Sequence, residues 1–372
     1  MNKLWNWGIG LIVVFLIAFL IVVSVTNDNE TETIRIGVVY PLSGDMAFYG
    51  DSMKGAVLLA AEDINYEIFG KKIEFIFEDG KCTIDGGTQA FNKLINIDKV
   101  NFILGGSCSS ETIGGAPIAE QAKVISISPS SSSPEIRKIG EYNFTLWPLD
   151  DFEGKFHADF INKMGLKNAY VIYEQNDWAS GEKVSFITAF KKVGGTILGE
   201  EGLSISTPEF KTIILKLNNT NPDVIFLAGL NQVVINFLKE YKELDINVPV
   251  FIPQALQQVV LDAVGNAAEG KYGSYQDFSI NYPGFEDKLK TITGLDKVDA
   301  QVLSPKAYDS LLLLKASIEK AETFDSEKVK DALLDIDFNG ISGTYIFDEF
   351  GTPAIADYKM YKIVDGKQVV IN

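Results

Sequence analysis

The sequence predicts an α/β protein of two doubly wound parallel-sheet lobes, preceded by an N-terminal membrane helix. Short apolar runs of strand type alternate with amphipathic stretches of about 10–15 residues, the rhythm of parallel strands joined by right-handed helical crossovers. That rhythm runs twice, over about 115 and about 125 residues, which implies two sheets rather than one. The length, 372 residues with 46% hydrophobic content, is enough for two cores at roughly 150 residues per domain.

The elements follow in order. Residues 4–26 carry no charged side chain, and 9–25 are mostly Ile, Val, Leu and Phe. As a helix this run spans roughly 34 Å at about 1.5 Å per residue, enough to cross a bilayer core. Lys3 precedes it and Asp28, Glu30 and Glu32 follow, so the positive-inside tendency places residues 27 onward outside the cytoplasm, in the periplasm or at the cell surface. Ser24-Val25-Thr26 is a poor cleavage site and no cysteine follows to accept a lipid, which favours an uncleaved signal-anchor over a cleaved signal peptide. Residues 27–33 read as a polar tether. Residues 34–40 alternate and stop at Pro41, a strand, and 52–65 put Met53, Ala56, Val57, Ala60 and Ile64 on one helical stripe. Strands are then expected at 72–77, 102–104 and 124–128, with helices at 88–98 and 113–122. After 143–147 the series resumes with strands at 169–173, 196–203, 224–227 and 249–252. Its helices are expected at 152–164, 181–193, 210–217 and 233–244. The last third is more helical (285–292, 305–320, 326–334) and ends in a strand at 343–347, a turn at 348–351 and a hairpin across Asp365-Gly366.

Composition excludes several functions. The chain has 33 Lys+Arg and 50 Asp+Glu, a net charge of −17, which repels polyanions and argues against nucleic acid as a partner. With one histidine, His157, and two cysteines, a Cys/His zinc site is close to excluded. His157 lies in an amphipathic helical pattern and reads as a surface or packed histidine. No G-x-S-x-G elbow and no Walker loop occur, so no catalytic residue is assigned, no enzyme is expected and no cofactor or metal is implied. In an exported chain Cys82 and Cys108 read as a disulfide, the alternative being two free buried thiols.

Two segments carry specific chemistry. Gly105-Gly106-Ser107-Cys108-Ser109-Ser110 follows a strand and opens a helix, where backbone N–H groups and hydroxyls suit a carboxylate; a plain turn with capping serines reads equally well. Ser128-Pro129-Ser130-Ser131-Ser132-Ser133-Pro134-Glu135 follows the next strand. Ser133 before Pro134 looks like an N-cap, and Ser132-x-x-Glu135 fits a capping box. Two hydroxyl-rich loops at the carboxyl ends of parallel strands define a polar pocket for a small molecule.

These segments, with the ends of the chain, resemble the periplasmic leucine/isoleucine/valine-binding protein family, the branched-chain amino-acid branch of the type I solute-binding proteins of ABC transporters. Ile36-Gly37-Val38-Val39-Tyr40-Pro41-Leu42-Ser43-Gly44 with Tyr49-Gly50 and Gly55-Ala56 is similar to the family's first strand and helix. Glu78-Asp79-Gly80-Lys81-Cys82 and Cys108-Ser109-Ser110 resemble its cysteine-bearing segments, and Ala307-Tyr308-Asp309, Phe338-Asn339-Gly340-Ile341-Ser342-Gly343 and Phe347-Asp348-Glu349-Phe350-Gly351 its closing motifs. The resemblance covers residues 34–370.

It implies a clamshell with a three-crossing hinge, lobe 1 at 34–148 and 277–353, lobe 2 at 149–276 and 354–372. It also implies a bonded Cys82–Cys108 pair. Ser109 would bind the ligand carboxylate, with Cys108 and Ser110 beside it. Ser130, Ser131 and Ser132 would offer carbonyl and hydroxyl to an ammonium. Tyr49 would be an aromatic pocket residue of lobe 1. In lobe 2, Trp178 and Leu230 stand where the family has tyrosines, and Gln254 where it has the acidic partner of the ammonium. On that reading the expected function is capture of a small carboxylate-bearing ligand, above all a branched-chain amino acid, for an ABC permease. A sensor ectodomain and a ligand without an amine are the alternatives, and Gln254→Glu is expected to strengthen amino-acid binding by restoring a countercharge.

Overall fold

The computed structural model describes residues 33–204, 210–244, 246–254, 257–277 and 279–371. The expected membrane segment at 4–26 and its tether as far as residue 32 lie outside them; among the described residues no helix is long and apolar enough to cross a membrane. The chain runs β1 (Ile34–Tyr40), α1 (Ala47–Asp63), β2 (Glu67–Ile68), β3 (Lys71–Asp79), α2 (Ile84–Asn96), β4 (Phe102–Gly105), α3 (Ser109–Ala122), β5 (Ser126–Ser128) and β6 (Asn143–Thr145). It continues through α4 (Asp150–Lys163), β7 (Asn168–Glu174), α5 (Asp177–Lys192), β8 (Thr196–Leu203), α6 (Lys211–Thr220), β9 (Val224–Ala228), α7 (Asn231–Glu243), β10 (Val250–Pro253), α8 (Gln258–Val264) and β11 (Tyr272–Gln276). Last come α9 (Phe285–Thr293), α10 (Ser304–Ala321), α11 (Ser326–Leu334), β12 (Phe338–Gly340), β13 (Gly343–Tyr345), β14 (Tyr358–Val364) and β15 (Lys367–Ile371).

Two sheets organise these elements. The first has strand order β2-β3-β1-β4-β5-β6, parallel except for β2. The second has order β15-β14-β11-β10-β9-β7-β8, parallel except for the closing pair β14 and β15. Both are covered on both faces, as the sequence predicts. In β9 the alternation is explicit. Ile225 and Leu227 pack with α6, α7 and α8, whereas Val224, Phe226 and Ala228 pack with α4 and α5. In the first sheet, Val38 joins the cluster under α1 and α10, and Val39 the smaller one under α2 and α3. The chain passes between the sheets three times, after β6, after β11 and after β13, while α9, α10 and α11 return to the first core.

The structure moves several expected boundaries in one direction. Helices expected from residues 52, 88, 113 and 181 begin at Ala47, Ile84, Ser109 and Asp177. Their first turns lie at the carboxyl ends of strands and carry exposed apolar residues such as Phe48 and Ile84 or hydroxyls such as Ser109 and Ser110, so a core-facing apolar period does not register them. At α2 the true start is marked by a cap, since Thr83 Oγ1 accepts the Gly86 N–H at 3.0 Å. Strand β11 and helix α8 were not among the expected elements. The capping box expected after the serine tract is absent. Pro134–Lys138 is a 3₁₀ turn, Ser133 makes no side-chain capping bond, and Glu135 instead pairs with Lys138 at 2.7 Å.

Candidate functional site

The site begins where β4 ends. The loop Gly105-Gly106-Ser107-Cys108 leads into α3, and Cys108 is bonded to Cys82, with a Cα–Cα distance of 5.2 Å. Glu111, fully buried one turn into α3, gathers three backbone donors. Its Oε2 accepts from Ser107 N at 2.8 Å and Cys108 N at 3.1 Å, and its Oε1 from Cys82 N at 2.9 Å. One carboxylate therefore ties both halves of the disulfide to the helix start. Burial pushes this carboxyl up to about 7, against the pull of the three N–H donors.

The serine tract after β5 folds onto this loop. Ser128 Oγ donates to Gly106 O at 2.7 Å, and Ser130 Oγ to Ser107 O at 2.8 Å. Ser131 Oγ reaches Gly106 O at 2.9 Å and Thr112 Oγ1 at 2.5 Å. The backbone N–H groups of Ser132 and Ser133 both donate to Ser109 Oγ, each at 3.2 Å. With those two bonds accepted, the Ser109 hydroxyl proton has no acceptor among the described residues. It remains the donor that Ser109 can offer a ligand at the N-terminus of α3.

These loops form one wall of a cavity of about 380 Å3 between the two sheets. Of the expected residues, Tyr49, Cys108, Ser109, Ser110, Ser130, Trp178, Leu230 and Gln254 line it. Ser131 and Ser132 do not. Both are buried, because the turn at 128–133 wraps inward to give Ser131 the carbonyls of Gly106 and Ser107 and to hold the Ser132 N–H on Ser109. The ammonium contact expected of the Ser132 hydroxyl thus has no access to the cleft. Trp178, Leu230, Met46, Val302 and Leu303 make an apolar stretch of the lining.

Gln254 departs from expectation in another way. Its Nε2 donates to Glu153 Oε2 and lies 3.5 Å from Glu182 Oε1. A glutamate at 254 would face those carboxyls, so the strengthening expected of Gln254→Glu does not follow from this geometry.

Other lining residues were missed by sequence reasoning. Glu174, at the end of β7, accepts from Leu230 N at 2.7 Å, and burial raises its carboxyl above the ordinary range. Asn231 and Gln257 meet Tyr49 across the cleft. The tyrosine hydroxyl donates to Gln257 Oε1 at 2.9 Å and accepts from Asn231 Nδ2 at 3.0 Å, and burial pushes it up to about 12. The carboxyl ends of β7 and β9 and the N-terminus of α7 were the signal for Glu174 and Asn231, since open α/β sheets bind ligands there. Tyr49→Phe removes the hydroxyl and keeps the ring. It is expected to weaken closure by about 1 kcal/mol, read as a several-fold faster ligand release in stopped-flow fluorescence with the fold unchanged by circular dichroism.

His157 is fully buried, its Nε2 2.7 Å from Ser274 Oγ, and no group of three or more His, Cys, Asp or Glu among the described residues is disposed to hold a metal ion.

Comparison with known proteins agrees with this geometry. The family model described as periplasmic binding protein matches residues 33–368. The leucine-, isoleucine-, valine-, threonine- and alanine-binding protein of Pseudomonas aeruginosa is 27% identical over 342 residues, 89% of this chain and 90% of that protein. Among solved structures, the leucine binding protein LivK of Thermotoga maritima superposes with a TM-score of 0.82 at 23% identity, covering 91% of this chain and 98% of that one. A solute-binding protein of an ABC transporter from R. palustris, in complex with benzoate, gives 0.80 at 19% identity, covering 91% and 95%.

Proposed function

This chain belongs to the periplasmic binding protein family, and from that premise we propose that it is an extracytoplasmic solute-binding protein. It captures a small carboxylate-bearing ligand, a branched-chain amino acid in the first instance, between its lobes and delivers it to an ABC permease. The observation that carries the reading is the pairing of Ser109, a hydroxyl whose acceptor side is already used, at the start of α3 with the apolar stretch around Trp178 and Leu230 in one cavity. A ligand with an anionic head and an apolar body matches both, and the names of its relatives point the same way. The lobes are assigned to 34–148 with 277–353 and 149–276 with 354–372, and residues 4–26 to a membrane anchor. No turnover is assigned to this chain.

Calorimetric titration with leucine, isoleucine, valine and benzoate tests this, the last because one structural neighbour holds benzoate. Submicromolar to micromolar binding of an aliphatic amino acid is the expected result; binding of benzoate alone would replace it with an aromatic-acid carrier. Ser109→Ala is expected to weaken either ligand about 10- to 100-fold, the range for a hydrogen bond to a charged group. An unchanged affinity would remove the carboxylate from α3.

A further inference from the structure

Behind the cleft lies a group of acids that the site as described does not use. Asp150, Glu153 and Glu182 are fully buried and close enough to interact with one another. Three neighbouring buried carboxyls cannot all be ionised. Their partners decide which one is. Glu153 Oε1 accepts from Ser274 Oγ, its Oε2 from Gln254 Nε2, and the Gln254 backbone N–H donates to it as well. Asp150 has only the Ser132 hydroxyl and the Glu182 carboxyl beside it, and Glu182 has its two acidic neighbours and Gln254 Nε2 at 3.5 Å. Burial first, and then the charge of their neighbours, push Asp150 and Glu182 well above the usual carboxylate range, while the donors around Glu153 oppose its rise. Those donors make Glu153 the member of the group best fitted to carry a negative charge.

Among the described residues Glu153 has no cationic partner at neutral pH. Its one ion-pair neighbour among the described residues is His157, whose Nε2 is 3.9 Å from Oε1. Ser274 gives its proton to Glu153, so His157 donates through Nε2 to Ser274 and is the neutral Nε2–H tautomer. Burial holds the imidazole down to about 3, so it brings no positive charge at neutral pH.

Gln254 stands between Glu153 and the ligand. It lines the cavity, its Nε2 is held inward by Glu153, and its Oε1 accepts no hydrogen bond from the described residues. An amide whose N–H groups are fixed on a carboxylate can offer only its carbonyl on the other side, and the bond polarises that oxygen further. We propose that Glu153, acting through Gln254, is the countercharge for a ligand ammonium, so that the cleft selects α-amino acids over the matching 2-keto acids. The proposal rests on the reading that the cleft binds a small carboxylate at Ser109. Glu153 is a positioning residue: it touches Gln254, and Gln254 touches the ligand. The rival is Glu174, which also lines the cleft but already serves the Leu230 N–H and Asn176.

The test is calorimetric titration of the purified exported chain with leucine and with 4-methyl-2-oxopentanoate, for wild type, Glu153→Gln, Gln254→Met and Glu174→Gln. The wild type is expected to prefer leucine. Glu153→Gln is expected to weaken leucine about 10- to 100-fold and leave the keto acid unchanged or tighter, collapsing the preference. Gln254→Met, which keeps the side-chain length and removes the amide, should do the same with all three buried acids still in place. A merely structural Glu153 would weaken both ligands together, which overturns the proposal. So does an unchanged preference in both Glu153→Gln and Gln254→Met, or a collapse confined to Glu174→Gln. A wild type that binds the keto acid and not leucine overturns this inference and keeps the carboxylate reading. One that binds neither overturns that reading, and this proposal with it.

Discussion

Glu111→Ala is expected to destabilise the protein by about 3–5 kcal/mol, because it strips the acceptor from three N–H groups that it satisfies together. The loss falls on the loop that carries Ser109, so ligand affinity should fall with stability. Urea unfolding followed by tryptophan fluorescence measures the first and calorimetry the second. A change below about 1 kcal/mol would mean that water replaces the carboxylate at no cost. The same residue gives the stability a pH dependence of defined sign. A carboxyl whose folded value is raised from 4.5 to about 7 binds its proton more tightly when folded. Its contribution is therefore fully present below the unfolded value and is lost as pH rises through the folded one. Between pH 4.5 and 7 the wild type should lose stability that Glu111→Gln does not lose. The difference between the two profiles isolates Glu111 from Asp150, Glu182 and Glu174, which shift the same way.

Opening the Cys82–Cys108 bond is expected to cost about 3.5 kcal/mol in the chain-entropy account, for a sequence separation of 26. Thermal unfolding of oxidised protein against the Cys82→Ser/Cys108→Ser variant measures it, with peptide mapping under non-reducing conditions to establish the linkage. Since Glu111 binds the backbone of both cysteines, the two losses should not add. A cycle combining Glu111→Ala with the double serine variant is expected to show a coupling of about 1 kcal/mol or more. Strict additivity would mean that carboxylate and disulfide brace the loop independently.

The lobes were legible in the sequence because their signal is local. The continuous apolar run at 224–227 and the helical stripe of 53–64 record burial inside a sheet or under a helix, and neither needs knowledge of what lies opposite. The disulfide was legible from the even pair of cysteines in a chain expected to be exported, and the hydroxyl-rich helix start from Gly105-Gly106 followed by serines. Helix starts were less so, and for the same reason. Tyr49, Ser109, Ser110 and Trp178 all sit in first turns, where polar contacts replace the apolar period that reveals a helix.

What the sequence by itself determined is therefore the two α/β units, the cysteine bridge and the hydroxyl-rich end of the first sheet. Only the tertiary structure decided which serines line the cleft and which brace the turn. It alone brought Tyr49 to Gln257 across a separation of 208 residues, and Gln254 to Glu153 across 101. It also changed the meaning of Gln254, from a missing acid to an amide held by an acid supplied from α4. The physical reason is that a hydrogen bond depends on distance in space. A side chain's partners in a cleft between two sheets come from elements that no local period connects, and so does the charge that such a side chain presents to a ligand.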